Sequence, residues 1–310
     1  MKILVTGGAG FIASHIADAL IANGHSVVVL DNLSSGKIEN LNPKAHFVKG
    51  DICDRVLINR LFKEQYFDIV NHHAAQMDVR RSVADPIFDA EVNILGSLNL
   101  LEASHEHSVK RFIFSSTGGA IYGEQDYFPA DENHPTRPES PYGVAKRSIE
   151  LYLNYYKTVH DLEYTIFRYA NVYGPRQDPR GEAGVVSIFS NALLENRQCI
   201  IFGDGRQTRD YVYVGDVVRA HLLALEKTAG SETFNISTSI ETDVNQLFSM
   251  LSKILTNGKA KPSYSEARKG EQKRSVCSYA RAEKALDWKP EVSLQEGLKR
   301  TVKYFQTALV

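Results

Sequence analysis

Tyr142 and Lys146 stand four residues apart in Tyr-Gly-Val-Ala-Lys, within a stretch of helical character. Residues i and i+4 are neighbours on one helix face. A phenol beside an ammonium is an acid/base device, because the positive charge stabilises the phenolate and draws the tyrosine pKa down from about 10. Such a pair also arises by chance on surfaces, so its setting decides what it means. It lies one crossover beyond Ser115-Ser116-Thr117, three hydroxyls closing an apolar run. An open α/β sheet binds its ligands at the C-terminal ends of its strands.

A second cluster has binding chemistry. Thr6-Gly-Gly-Ala-Gly-Phe-Ile-Ala13 follows an apolar run and opens a helical pattern. Gly7 and Gly10 permit a tight turn and close approach to a pyrophosphate, whose charge suits the helix N-terminus that follows. Ala13 stands where a third glycine is usual, at a helix–strand packing position that accepts a small side chain. Asp31 ends the next apolar run, 21 residues after Gly10. An acid there accepts hydrogen bonds from an adenosine ribose and repels a 2′-phosphate, which predicts NAD over NADP.

These residues need a frame. Short β-branched runs alternate with helical patterns, the signature of βαβ units. Strands are expected at Ile3–Thr6, Ser26–Leu30, His46–Lys49, Ile69–His72, Arg111–Ser115 and Tyr164–Tyr169. One helix carries Ile12, Ile16 and Leu20 on a single face and closes at Gly24; another spans about Pro141 to His160, with Ile149, Leu153 and Tyr156 inward. The last helix is expected over roughly Leu294–Gln306. The expected architecture is α/β: a Rossmann-type doubly wound parallel sheet with a smaller α/β substrate-binding lobe. Residues 1–170 would form the NAD-binding part, rejoined by about 211–236, and 171–310 the second lobe.

Composition narrows the class. Of 310 residues, 43% are hydrophobic and 24% charged, with a net charge of -1, which fits a globular protein and leaves no basic footprint for nucleic acid. Cys53, Cys199 and Cys277 are widely separated, so neither a disulfide framework nor a cysteine-bound zinc is expected, and a reducing cytoplasm fits best. No apolar run approaches the ~20 residues of a membrane span, and the run before Gly7 is too short for a signal peptide. His72-His73 should point opposite ways on a strand, and His105 and His107 are i, i+2 on a helix, so no metal site is expected. Trp288 and the tyrosines 152, 155 and 156 read as packing or interface residues.

The sequence resembles the extended short-chain dehydrogenase/reductases, and within them the nucleotide-sugar epimerases. The resemblance is carried by Thr6–Ser14, Asp31-Asn32, Gly50–Ile52, His73–Gln76, Asn93, Ser115–Gly123, Tyr142–Lys146, Arg168–Arg176, Arg209–Tyr211 and Arg268–Glu271. It implies that Gly7, Gly10, Phe11, Ile12, Asp31, Asn32, Ser35 and Gly36 hold adenosine and pyrophosphate, and that Asp51 and Ile52 flank the adenine. Ala74, Ala75, Asn93 and Ser115 would line the cofactor groove, with Tyr169 near the nicotinamide. Tyr142 would be the acid/base, Lys146 would bind the nicotinamide ribose and lower the tyrosine pKa, and Thr117 would bridge to the sugar hydroxyl. Asn171, Arg209 and Arg268 would meet the diphosphate of a UDP-sugar, and Val185 and Ile200–Phe202 the uridine. The physics agrees, since arginine forks suit a diphosphate.

The implied activity is NAD-dependent 4-epimerisation of UDP-glucose and UDP-galactose through a 4-keto sugar, without net redox. Other nucleotide-sugar enzymes compete, including a UDP-glucuronate 4-epimerase, a dehydratase or a reductase, as does a non-catalytic NAD-sensing module. Dehydratases place an Asp-Glu pair after the active-site threonine, whereas Thr117 is followed by Gly118-Gly119-Ala120; a sensor would lose Tyr142 or Lys146. The glycine pair makes this loop one residue longer than in some epimerases, leaving Ser116 and Thr117 both open as the bridging hydroxyl. The family also implies a homodimer formed by helices at roughly Ile87–His107 and Pro141–His160, with Tyr152, Leu153 and Tyr156 as an apolar surface. Ser275, seven residues after Arg268, would sit beside the sugar C2 substituent, and a side chain that small predicts admission of UDP-N-acetylhexosamines.

Overall fold

The computed structural model describes residues 1–179, 184–227, 230–267, 270 and 272–308. Its frame begins with β1 (Lys2–Thr6), α1 (Phe11–Ala22), β2 (Ser26–Asp31), β3 (His46–Lys49), α2 (Arg55–Gln65) and β4 (Ile69–His72). Next come α3 (Val79–Ala84), α4 (Pro86–Ala90), a π turn over Glu91–Leu95, and α5 (Gly96–Glu106). Then follow β5 (Arg111–Thr117), α6 (Pro141–His160) and β6 (Glu163–Tyr169).

The chain then builds smaller elements: β7 (Asn171–Tyr173), α7 (Val185–Leu194), β8 (Ile200–Phe202), β9 (Thr208–Tyr213), α8 (Val214–Glu226) and β10 (Glu232–Ile236). It ends with β11 (Glu241–Asp243), α9 (Val244–Thr256), β12 (Ser263–Ser265), β13 (Arg274–Ser275), α10 (Ala280–Leu286) and α11 (Leu294–Ala308).

Seven strands form one sheet in the order β10-β6-β5-β4-β1-β2-β3, and every pairing is parallel. The order reverses between β1 and β4, so their C-terminal ends open the crevice where such sheets bind ligands. Helices cover both faces. Ile16 and Leu20 of α1 join Val5, Val29 and Phe234 in one core, while Ile149, Leu153 and Tyr156 of α6 join Leu4, Val70 and Phe112 in the other. That double burial is why the central strands read as nearly continuous apolar runs. A separate core around Phe189, Leu247, Phe248 and Leu298 holds the later elements together.

The strands expected from sequence all form, several longer than expected. β5 runs on to Thr117 because Ser116 pairs with Arg168 and Thr117 with Tyr169, a polar continuation that an apolar pattern does not announce. The long helix expected over Ile87–His107 is not one regular helix, since the π turn divides α4 from α5. There Asn93 Nδ2 reaches back to Asp89 Oδ1 at 2.9 Å. The apolar surface expected from Tyr152, Leu153 and Tyr156 is also revised. Leu153 and Tyr156 are buried in the chain's own core, and the exposed apolar side chains of α6 are Val144, Leu151, Tyr152, Tyr155 and Val159. Among the described residues no helix is long and apolar enough to cross a membrane.

Candidate active site

The glycine loop turns at Gly7, whose φ of +68° favours glycine; a Cβ there would lie 2.7 Å from the Ala74 nitrogen. Two loops therefore meet backbone to backbone, Gly7 from β1 and Ala74 from β4, and Thr6 Oγ1 fixes them by accepting from the nitrogens of His73 and Ala74. Gly10 is the N-cap of α1 and supplies no side-chain cap, which leaves the first-turn N–H groups facing the crevice for an anion. Phe11 and Ile12 are half-buried in that turn, and Ala13 is packed into the core below.

Asp31 is buried at the end of β2, where its Oδ2 accepts from Ala9 N at 3.0 Å and its Oδ1 from Leu33 N at 2.7 Å. A carboxylate oxygen with one donor keeps a lone pair for a ribose hydroxyl. Gly36 keeps that approach open, since a Cβ there would stand 3.0 Å from both oxygens. Asn32 donates to Asp51 Oδ2 at 2.8 Å, and Ile52 packs closely against Gly96, where a Cβ would lie 2.7 Å from its Cδ1. Ser35 is exposed at the rim. This donor set, a free helix N-terminus and a half-satisfied carboxylate a strand apart, fits the pyrophosphate and ribose of a dinucleotide.

Asn93 is bonded to the loop that follows β4. It is buried, accepting from Gln76 N at 2.9 Å and donating to Gln76 O and Asp89 Oδ1. It fastens the loop carrying Ala74 and Ala75, both half-buried.

Tyr142 and Lys146 lie in the first two turns of α6, started by Ser140 as N-cap and Pro141 at the first position. Gly143 lets this turn approach the Thr117–Ala120 loop, because a Cβ there would sit 2.6 Å from Ala120 O. Lys146 Nζ donates to Ser115 O at 2.9 Å and stands 5.8 Å from the Tyr142 ring centre. Burial lowers the Lys146 pKa to about 8, against the opposing pull of Asp89 and Glu150. Burial, with the Asp89 charge, pushes the Tyr142 phenol upward.

The end of β5 settles which hydroxyl faces which way. Ser116 Oγ donates to Glu150 Oε1 at 2.7 Å, under α6. Ser115 and Thr117 project from the opposite face, as strand alternation requires. Thr117 Oγ1 accepts from Ala120 N at 3.2 Å, and an added Cβ on Gly119 would lie 3.9 Å from it and 3.8 Å from Asn171 Oδ1. Thr117, Gly119 and Asn171 therefore converge. A Cβ on Gly118 would meet Cys277 Sγ at 2.9 Å and Tyr169 O at 3.2 Å, so this position is closely packed.

On the second lobe, β9 carries Arg209, paired in register with Ser275 on β13 and with Thr242 on β11. Arg209 Nη1 donates to Thr208 O at 2.8 Å. Asn171 is tied to the same sheet through its register with Tyr211. Val185 opens α7, and Ile200 and Phe202 bound β8, which pairs with β12. Arg268 lies outside the described residues.

Several contributors escaped the sequence. Asp89 is a lone acid on a short helix, His221 is 150 residues from its partner Asn71, and Glu150 forms its ion pair with Arg168, Oε2 to Nη2 at 2.6 Å. None lies in a motif whose spacing announces it. Among the described residues no group of histidine, cysteine, aspartate and glutamate could hold a metal ion.

A dinucleotide groove ending at a tyrosine–lysine helix face defines a class of nicotinamide-dependent enzymes. The chain belongs to the NAD dependent epimerase/dehydratase family, which it matches over residues 3–237. It is 45% identical to the UDP-glucose 4-epimerase of Mycolicibacterium smegmatis, over 99% of each chain. Its fold is similar to that of a UDP-glucose 4-epimerase from Thermotoga maritima solved with UDP-glucose: TM-score 0.98, 54% identity, 100% of both chains. A Thermus thermophilus UDP-glucose 4-epimerase in complex with NAD is also similar, with a TM-score of 0.93 and 43% identity over 99% of this chain and 100% of that one.

Proposed function

We propose that this protein is an NAD-dependent 4-epimerase interconverting UDP-glucose and UDP-galactose. The observation that carries this reading is the convergence of Thr117 and Asn171 on Gly119, a loop without a carboxylate, beneath the helix turn that bears Tyr142. A dehydratase needs an acid where Gly118 and Gly119 stand. The full-length similarity to the Mycolicibacterium and Thermotoga epimerases supports the same choice.

Bound there, NAD would supply the hydride acceptor and donor for sugar C4, and a positive charge. Gly7, Gly10, Phe11, Ile12, Asp31, Asn32, Ser35 and Gly36 would hold its adenosine and pyrophosphate, with Asp51 and Ile52 beside the adenine. Tyr142 takes the proton of the sugar 4-hydroxyl and gives it back. Lys146 holds the ammonium next to that phenol, and Thr117 orients the hydroxyl. Arg209 and Asn171, with Arg268, would meet the diphosphate; Val185, Ile200 and Phe202 would meet the uridine. Ser275 would sit beside C2, and its small size would admit N-acetyl groups.

The exposed apolar side chains of α6, joined by Ile87 and Leu95 of the neighbouring helical segment, support a homodimer in which this face meets its copy.

The deciding experiment incubates purified protein with UDP-glucose and resolves the 4-epimers. UDP-galactose should form without added reductant, and denatured protein should release NAD. Formation of a 4-keto-6-deoxy sugar instead would overturn the reading.

A further inference from the structure

Behind the hydroxyls at the ends of β5 and β6 lies a closed ring of five side chains. Tyr169 Oη meets His221 Nε2 at 2.5 Å, and His221 Nδ1 meets Asn71 Nδ2 at 3.0 Å. Asn71 Oδ1 meets His73 Nε2 at 2.8 Å, His73 Nδ1 meets Ser115 Oγ at 2.7 Å, and Ser115 Oγ returns to Tyr169 Oη at 3.1 Å. Asn71 and His221 are fully buried, while His73 is half-buried toward the groove.

The proton count fixes the direction of every bond. An amide Nδ2 only donates, so His221 Nδ1 accepts and its proton sits on Nε2. That N–H donates to Tyr169, whose hydroxyl donates to Ser115, whose hydroxyl donates to His73 Nδ1. The His73 proton then lies on Nε2 and donates to Asn71 Oδ1, closing a one-way circuit. The circuit closes only if both imidazoles are neutral. Burial lowers the pKa of both, to about 3 for His221, and the Lys146 ammonium adds positive charge near His73.

Four elements meet in this ring: β4, β5, β6 and α8. Ser115 has a second role, because its carbonyl holds Lys146 Nζ.

We propose that Asn71, His73 and His221 are positioning residues, forming a one-way hydrogen-bond circuit that fixes the hydroxyls of Ser115 and Tyr169 and, through the Ser115 backbone, the ammonium of Lys146. Cooperative bonding in a buried ring makes it rigid, and removing one obligatory donor reverses or breaks the whole circuit. The role of Lys146 rests on the function proposed above; the ring itself does not.

Long-range proton–nitrogen NMR spectra of histidine-labelled protein test it without substrate. The expected result is that His73 and His221 are both neutral, protonated on Nε2, and do not titrate between pH about 5 and 8. Asn71→Asp replaces the donor facing His221 by an acceptor in nearly the same shape. His221 should then carry a proton on Nδ1, and kcat should fall on the order of tenfold to a hundredfold, with KM for the UDP-sugar within about threefold. A wild-type imidazole that is charged or protonated on Nδ1 alone would overturn the proposal. So would an Asn71→Asp variant with unchanged His221 signals and unchanged kcat. An error in the assigned activity would leave the spectra decisive, and the wild-type spectra stand even if the variant fails to fold.

Discussion

Lys146 Nζ is bonded to the carbonyl oxygen of Ser115 at 2.9 Å, so the ammonium beside Tyr142 is held by the backbone of β5 rather than by its own helix. Its charge is therefore buried, close to Asp89 and Glu150 but fastened to a neutral acceptor.

That burial predicts a pH effect on stability. Lys146 has a pKa of about 8 in the folded protein against 10.5 as a model lysine. Below about 8 both states hold the proton and this group adds no slope. Between 8 and 10.5 the unfolded chain binds more protons than the folded one, so stability rises with pH. Comparing wild type with Lys146→Met by urea unfolding isolates the group. The wild type should gain up to about 3 kcal/mol on the variant as pH rises through this window. A constant difference would show that Lys146 is not desolvated as described.

Tyr142→Phe removes one hydroxyl and keeps the ring. Turnover is expected to drop by about 10²–10⁴-fold, while UDP-sugar binding, followed by calorimetry, is retained. Epimerisation at the wild-type rate would remove Tyr142 from the mechanism.

Glu150 is buried, accepts from Ser116 Oγ, and takes a two-point contact from Arg168 through Nε and Nη2. Removing it strands the Arg168 guanidinium under α6. Glu150→Ala should lower unfolding free energy by about 3–5 kcal/mol, measured by urea denaturation. Loss of less than about 1 kcal/mol would mean that water reaches Arg168.

Ser275 is expected to set substrate range. The wild type should epimerise UDP-N-acetylglucosamine as well as UDP-glucose. Ser275→Tyr should lower kcat/KM for the N-acetyl substrate at least about tenfold relative to UDP-glucose, roughly the discrimination a filled pocket provides. Equal acceptance by the variant, or rejection by the wild type, removes Ser275 as the gate.

Leu151 and Tyr155 are exposed on α6. Light scattering should report about twice the 34.7 kDa chain mass, and Leu151→Glu combined with Tyr155→Glu should yield a monomer. A monomeric wild type would contradict the proposed face.

The sequence by itself determined the sheet, the glycine turn and the Tyr142–Lys146 pair, because these rest on local rules. Periodicity marks buried strands, a tight turn needs Gly7, and i, i+4 spacing makes two side chains neighbours. It also held the absence of an acid after Thr117. Tertiary structure alone decided what packing brings together from distant segments. Ser116 rather than Thr117 turns toward Glu150, and Asn93 bonds to Gln76 and Asp89. Burial and the Asp89 charge both push the Tyr142 phenol upward, an effect of what surrounds the group in space. His221 meets Asn71 across 150 residues of chain, a contact fixed only when α8 packs against the sheet that holds β4.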